Sequence, residues 1–385
     1  MMKLCVITGT RAEYGLLKPL LKKISDDGEL VLQLIATGMH LSPEFGMTYR
    51  EIEKDGFYID DKLEILLSSD TSIGISKSMG LAMISFAESY ERLKPDLVIV
   101  LGDRYEIFAA VSAASVAKIP VVHLYGGETT EGAFDEAFRH SITKMSYLHF
   151  TSMEEYRNRV IQLGEHPCRV FSVGALGIEN IKHLELLKKE ALEHEIGFQF
   201  GLKTALVTYH PVTLEKDSSA EQFQALLDAL DEIVDLKIIF TKSNSDTDGR
   251  IVNEMIDQYV AENHKKAIAF ISMGQLKYLS AMKYSNVVIG NSSSGIVEAP
   301  SFGIPTVNIG DRQKGRIQAE SIINCIPKRN DIKESINIAI SDTYMHKIRN
   351  VKNPYGDGNA SEKILREIKD NIKKSIVLKK SFFNL

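Results

Sequence analysis

Residues 286–316, NVVIGNSSSGIVEAPSFGIPTVNIGDRQKGR, decide how the chain is read. They run strand, loop, helix, strand. Residues 287–289 are a short apolar run of strand type, broken by Gly290 and the cluster Asn291-Ser292-Ser293-Ser294-Gly295. Residues 296–302 suit a helix that Gly303 closes, and after Pro305 a second strand covers 306–309. A small, hydroxyl-rich loop at a helix N-terminus predicts an anion site. Unpaired backbone N–H groups point outward there, and the helix dipole favours negative charge. Glu298, about one turn into that helix, is poorly placed for phosphate but well placed to accept hydrogen bonds from a ribose diol. Arg312 and Arg316 follow the next strand and add positive charge. An ordinary Ser/Gly turn capping a helix fits the same spacing, since the stretch is neither a Walker loop nor a GxGxxG fingerprint.

The same alternation extends outward in both directions. Residues 4–8, 30–36, 97–101 and 120–124 are strand-like, short and apolar, as suits strands buried on both faces of a parallel sheet. Leu16, Leu17, Leu20, Leu21 and Ile24 recur at helical spacing, and 105–117 form an Ala-rich helical pattern. After about residue 175 the order restarts, with strands at 204–209, 236–241, 267–271, 287–289 and 306–309. The expectation is an α/β chain of two doubly wound, Rossmann-like domains facing across a cleft. The first spans 1–173 and the second 174–359, with the junction near 173–177. A charged final helix, about 360–378 within the stretch 360–385, is expected to pack back on the first domain. Lys379-Lys380 reads as a solvated end.

Composition narrows the function. The chain has 385 residues, 44% hydrophobic and 25% charged, with a net charge of -5. That balance suits a water-soluble globular protein and argues against nucleic-acid binding. Cys5, Cys168 and Cys325 form no CxxC pair, which fits reduced thiols in a cytoplasm. No signal-peptide h-region opens the sequence, and no apolar run reaches the roughly 18 residues of a membrane helix.

Ligands of open α/β sheets gather at the carboxyl ends of the strands, so the residues just after each strand are the site candidates. The first strand is followed by the turn Gly9-Thr10-Arg11-Ala12-Glu13-Tyr14-Gly15, where Arg11 could neutralise a diphosphate. After the second comes Thr37-Gly38-Met39-His40, and after the third Gly102-Asp103-Arg104. The fourth leads into His123-Leu124-Tyr125-Gly126-Gly127-Glu128, a glycine loop ending in a carboxylate suited to acid/base chemistry. Asp135 and Arg139, and Glu136 and His140, are each four apart and share helical faces, as surface ion pairs also would. In the second half, His210 precedes Pro211 at a strand end, and Lys242-Ser243-Asn244 follows another strand. No set of residues has zinc-ligand spacing, and no GxSxG elbow occurs.

Taken in order, GTRAEYG, TGMH, LGDRYE, HLYGGE, DEAFRHSITK, GNSSSGIVE and NIGDRQKGR, with the later YGDGNA, resemble the hydrolysing UDP-N-acetylglucosamine 2-epimerases, the NeuC-type enzymes of sialic-acid synthesis. The resemblance spans about residues 4–370. It implies a GT-B-like fold, a UDP-sugar substrate, no metal and no nicotinamide or other cofactor, and by analogy a homodimer or tetramer. It implies that Arg11, His210, Ser292, Ser293, Glu298 and Arg312 hold UDP. Asp103, Glu128, Asp135 and His210 would be the acid/base set, supported by Arg104, His40, Glu136, Arg139 and His140. Gly15, within the first of these motifs, and Asn244, after a strand of the second half, join the substrate-binding set. Tyr125 stands where non-hydrolysing relatives carry Glu, and Glu128 follows three residues later, as in the hydrolysing branch. The expected reaction turns UDP-GlcNAc and water into ManNAc and UDP. A branch with the same motifs that hydrolyses UDP-N,N'-diacetylbacillosamine is the alternative, and a GT-B glycosyltransferase a more distant one.

Overall fold

The computed structural model describes residues 1–67, 71–129, 134–211, 219–243, 249–356, 358–372 and 376–385. The chain divides into two units, each built on one all-parallel sheet. The first comprises Met1–Glu128, Asp135–Lys182 and Tyr355–Leu385. Its elements run β1 (Met2–Thr8), α1 (Arg11–Ser25), β2 (Leu30–Thr37), α2 (Tyr49–Lys54), β3 (Asp61–Leu63), α3 (Ser72–Leu93), β4 (Leu97–Leu101), α4 (Tyr105–Val116), β5 (Val121–Leu124), α5 (Asp135–Met145), β6 (Leu148–Thr151), α6 (Glu154–Gln162), β7 (Val170–Ser172) and α7 (Leu176–His183). The strands are ordered β3-β2-β1-β4-β5-β6-β7. The order reverses beside β1, where Leu4 is in register with Leu32 on one side and Leu97 on the other.

Alternation along β1 explains why the sheet is covered on both faces. Leu4 and Val6 join one core with Leu17, Leu20 and Leu21 of α1, while Cys5 and Ile7 join another with Phe86 of α3 and Ala110 of α4. A strand buried on both sides reads as a continuous apolar run, which is why β4, buried along its whole length, was legible.

The second unit, Thr129–Phe134 with His183–Pro354, repeats the plan. It holds α8 (Lys189–Ile196), β8 (Lys203–Thr208), α9 (Ser219–Asp231), β9 (Leu236–Thr241), α10 (Gly249–Glu262), β10 (Ala267–Phe270), α11 (Gly274–Tyr284), β11 (Val287–Gly290), α12 (Ser293–Val297), β12 (Thr306–Ile309), β13 (Ile322–Cys325), α13 (Arg329–Ala339) and α14 (Asp342–Ile348). The order β10-β9-β8-β11-β12-β13 reverses between β8 and β11.

The structure departs from the expectations in four places. Strands β3, β6, β7 and β13 were not foreseen, being three or four residues long with charged or polar members. The first unit extends past the expected junction through α7: Leu176 enters its core, Asn180 Nδ2 donates to Gly15 O at 2.9 Å, and Glu179 accepts from the Ser361 backbone N–H at 2.6 Å. The last helix, α15 (Ala360–Ile372), packs Ala360, Ile364 and Ile368 into the first unit's core but stops short of 378. Finally, Lys380 is not a solvated end, since its ammonium is held by the buried carboxylate of Glu165 at 2.8 Å. Among the described residues no helix is long and apolar enough to cross a membrane.

Candidate active site

In the first unit the switch point lies between the carboxyl ends of β1 and β4. Beyond β1, Thr10 caps α1, and a reciprocal capping box ties it to Glu13. The Glu13 carboxylate also accepts from Gly9 N–H at 2.7 Å. Arg11 is the first helical residue and half-buried. Beyond β4, Arg104 Nε donates to the fully buried Glu106 at 2.7 Å. Two buried carboxylates, Glu13 and Glu106, thus flank this turn with one guanidinium to balance them. Burial, and then the charge of Glu106, raise Glu13 well above the ordinary carboxylate range.

The acids of the first unit are organised by Arg139 and by the glycine turn after β5. Arg139, buried on α5, donates to Asp103 and, at 3.0 Å, to the carbonyl oxygen of Tyr125. Tyr125 has φ +68, a strained conformation for a bulky residue, and that hydrogen bond helps hold it. Gly127, at φ +78, lies so close to α6 that a Cβ would approach Tyr156 O to 2.3 Å. Only glycine lets the turn pass there. Glu128, 3% exposed, then accepts from Ser152 Oγ at 2.8 Å. Asp135 opens α5. Glu136 and His140 pair at 3.0 Å on the same helix, leaving His140 Nδ1 buried without a hydrogen-bond partner among the described residues.

Two expected ligand contacts look inward instead. His40 is fully buried, with Nε2 3.0 Å from Thr8 Oγ1 and Nδ1 2.8 Å from Thr48 Oγ1. Burial pushes its pKa down to about 3, so it is a neutral core histidine that ties β1 to the loop after β2. Gly15 is buried inside α1, and its carbonyl oxygen already accepts from Asn180. Both support the turn from behind.

The second unit's switch point joins the ends of β8 and β11. Gly290 ends β11 at φ +130, and a Cβ there would lie 1.9 Å from Thr208 O. This close approach lets the buried Asn291 reach across to His210. Its Oδ1 accepts from His210 N–H and its Nδ2 donates to His210 O, both at 2.7 Å. The carbonyl oxygen of Asn291 accepts in turn from Gln313 Nε2 at 2.7 Å and Arg312 Nη1 at 3.1 Å. One asparagine therefore fixes His210, the serine loop and Arg312 together. His210 Nδ1 lies 3.4 Å from Ser243 Oγ.

The helix after the loop begins earlier than expected. Ser292 is its N-cap, Ser293 its first residue, and it is only five residues long before a 3-10 turn takes over at Ala299. So short a helix has little macrodipole. What the loop offers an anion is its individual N–H groups and hydroxyls. Glu298 sits at the junction of the two helical segments rather than inside one helix. Burial raises its pKa, while the Ser294 hydroxyl and the Arg316 charge pull it back. Arg316 donates to Thr129 O at 3.1 Å. Asn244 lies outside the described residues.

The family model for UDP-N-acetylglucosamine 2-epimerase matches residues 22–369. The chain belongs to the UDP-N-acetylglucosamine 2-epimerase family. A Campylobacter jejuni relative, the GDP/UDP-N,N'-diacetylbacillosamine 2-epimerase (hydrolyzing), is 44% identical, covering 100% of this chain and 99% of the relative. The Escherichia coli polysialic acid biosynthesis protein P7 is 40% identical over 100% of this chain and 98% of its own. The crystal structure of UDP-GlcNAc 2-epimerase from Neisseria meningitidis bound to UDP-GlcNAc superposes with a TM-score of 0.80 at 22% identity, covering 96% of this chain and all of that one. The fold class is therefore the expected one, α/β with two Rossmann-like, doubly wound units of GT-B-like type.

Within this epimerase-family chain the sequence motifs map onto the two switch points. Arg11, Asp103 and Arg104 fall at the first, with Arg139 tied to Asp103; His210, Ser292 and Ser293 fall at the second, with Arg312 tied to it through Asn291. Four polar residues went unassigned in the sequence: Glu13, Glu106, Asn291 and Gln313. All are buried and bond mainly to the backbone or to one another's neighbours. Asn291 alone gave a signal, as an amide directly after a strand-ending glycine.

Proposed function

We propose that this enzyme is a hydrolysing nucleotide-sugar 2-epimerase acting on UDP-N,N'-diacetylbacillosamine. The observation that carries this reading is the 44% identity, over essentially both full lengths, to the hydrolysing Campylobacter jejuni enzyme of that name. It displaces UDP-GlcNAc, the first expectation from the motifs. UDP-GlcNAc remains the second reading, favoured by the 40% identical polysialic acid biosynthesis protein.

In the proposed reaction a carboxylate takes the proton from C2 of the sugar. The C1–O bond breaks, and UDP leaves with the electron pair. Water adds at C1 of the resulting 2-acetamidoglycal, and an acid on the other face returns a proton to C2. The sum is one nucleotide sugar and one water in, UDP and the free C2 epimer out. Proton removal and return on opposite faces require two acid/base groups, for which Asp103, Glu128, Asp135 and His210 are the proposed set. Arg104, Glu136, Arg139 and His140 orient the sugar and these acids. Arg11, Arg312, His210 and the loop of Ser292 and Ser293 stabilise charge developing on the diphosphate, and Glu298 accepts from the ribose. Asn244 completes the nucleotide contacts in this reading, and no metal or other cofactor takes part.

Measuring nucleoside diphosphate release from both purified UDP-sugars, with GDP-N,N'-diacetylbacillosamine as a third arm, tests the assignment. The proposal predicts a kcat/KM at least about tenfold higher for the diacetylbacillosamine donor, a difference of about 1.4 kcal/mol in transition-state binding. The reverse preference would establish the second reading. UDP release that depends on an added sugar acceptor would indicate a glycosyltransferase instead.

A further inference from the structure

The stretch after α15 is built into the first unit. Lys380 Nζ donates to the carbonyl oxygens of Lys144 and Ser146, at 2.8 and 2.7 Å, and to Glu165 at 2.8 Å. Lys144 is in the last turn of α5, so this ammonium satisfies orphan carbonyl groups at the helix C-terminus. Glu165, 2% exposed, also accepts from Lys144 Nζ at 2.5 Å and lies 3.1 Å from His149 Nε2. The Phe382 ring lies over Gly164, which follows α6, and under the Lys144 ammonium at 5.0 Å. Phe383 N–H donates to Gly164 O at 2.9 Å, and its ring packs with Val160, Ile161 and Val170.

The two helices gripped in this way carry or brace members of the acid set. From α5 come Asp135 and Arg139, the latter bonded to Asp103. From α6, Arg159 Nη1 donates to Gly127 O at 2.5 Å, immediately before Glu128. We propose that residues 376–385 form a positioning strap for the acid cluster, with Lys380 as its anchor. The strap touches no acid of that cluster. It fixes α5, from which Asp135 and Arg139 project, and α6, which braces the Glu128 turn through Arg159, and catalysis is sensitive to placement at the ångström scale.

Two proteins test this: Lys380→Met in the full chain, and a chain shortened to residue 375. Lys380→Met leaves Glu165 with Lys144 and His149, so the buried carboxylate keeps partners. Both variants should lose about tenfold in kcat while KM changes by less than about twofold. Amide hydrogen exchange should quicken in residues 135–145 and 154–162 and stay unchanged in residues 189–348. A synthetic peptide of residues 376–385 in excess should restore kcat to the shortened chain. The kinetic arm rests on the hydrolytic reading above, whereas the exchange arm does not. A wild-type chain without turnover would sink that reading and leave exchange to decide the strap. Wild-type kcat with wild-type exchange in both variants would overturn the strap. So would an activity loss that only tracks the unfolded fraction seen by circular dichroism, with kcat per folded molecule unchanged.

Discussion

Replacing Asn291 by Ala should damage both the stability of the second unit and its grip on nucleotide, by amounts that follow from the hydrogen bonds. Asn291 is fully buried, and its side chain holds both backbone polar groups of His210, itself 7% exposed. Removing the amide takes one acceptor and one donor from the His210 backbone. Each unsatisfied buried group costs about 1–3 kcal/mol. Water entering the vacated polar space recovers part of this. The net expectation is a loss of about 2–4 kcal/mol. The bonds from the Arg312 and Gln313 side chains to Asn291 O, and from Asn291 N–H to Thr208 O of β8, survive the substitution, so the loop stays folded but loses its side-chain tie to His210. UDP affinity should then fall about tenfold as His210 shifts, or about 1.4 kcal/mol. Urea unfolding followed by circular dichroism and calorimetric UDP titration measure the two effects. Asn291→Asp makes a sharper control, because it keeps the acceptor for His210 N–H and loses the donor to His210 O. It should cost at least as much stability as Ala, because an ionised carboxylate would be buried against the His210 carbonyl oxygen, and more UDP affinity, since it places a negative charge beside the loop proposed to hold the diphosphate. An Ala variant with an unchanged urea midpoint and an unchanged UDP Kd would refute the bracing role assigned to Asn291.

Asp103→Asn should lower kcat by about 10²–10⁴, the usual span for an acid/base group, and leave UDP affinity within about twofold; a purely KM effect would make Asp103 a binding residue. Glu298→Ala should weaken UDP binding by about 1.5–3 kcal/mol, as for a hydrogen bond to a charged group, and unchanged affinity by calorimetry would remove Glu298 from the ribose. His40 and His123 are buried neutral, with pKa values pushed down to about 3 by burial, so both resist protonation in the fold. The unfolded chain binds those protons below about pH 6.5, so stability should fall from there towards about pH 3, by about 1.4 kcal/mol per pH unit for each histidine. His123→Asn should flatten that slope in urea midpoints taken at several pH values, and an unaltered slope would mean the ring is charged in the folded protein.

Much of the fold could be read because its central strands are buried on both faces. Residues 97–101 are wholly apolar and 236–241 depart from that only at Lys237 and Thr241, and both were placed without error, as β4 and β9. The edge strands β3, β7 and β13 were missed for the converse reason. β3 reads Asp-Lys-Leu, and its partner on one side only leaves little for a pattern to show. Site motifs were legible where a glycine or a charged residue interrupts a strand end, as at Gly102-Asp103 and Gly290-Asn291. Polar residues facing inward are the hardest to place, because sequence spacing does not tell a histidine that lines a site from one that braces it. His40 lies after a strand like Asp103 does, yet two threonine hydroxyls hold both its ring nitrogens. Lys380 was misread through composition. A lysine pair near a chain end resembles a solvated tail, and the buried Glu165 that receives it lies 215 positions earlier.

Running the reaction in deuterated water with UDP-N,N'-diacetylbacillosamine and analysing the released sugar by NMR and mass spectrometry reaches the core of the account. It predicts free sugar with inverted configuration and one deuterium at C2, released with UDP in equal amount and without any acceptor. Free sugar carrying its original C2 proton, or retaining its C2 configuration, would contradict it.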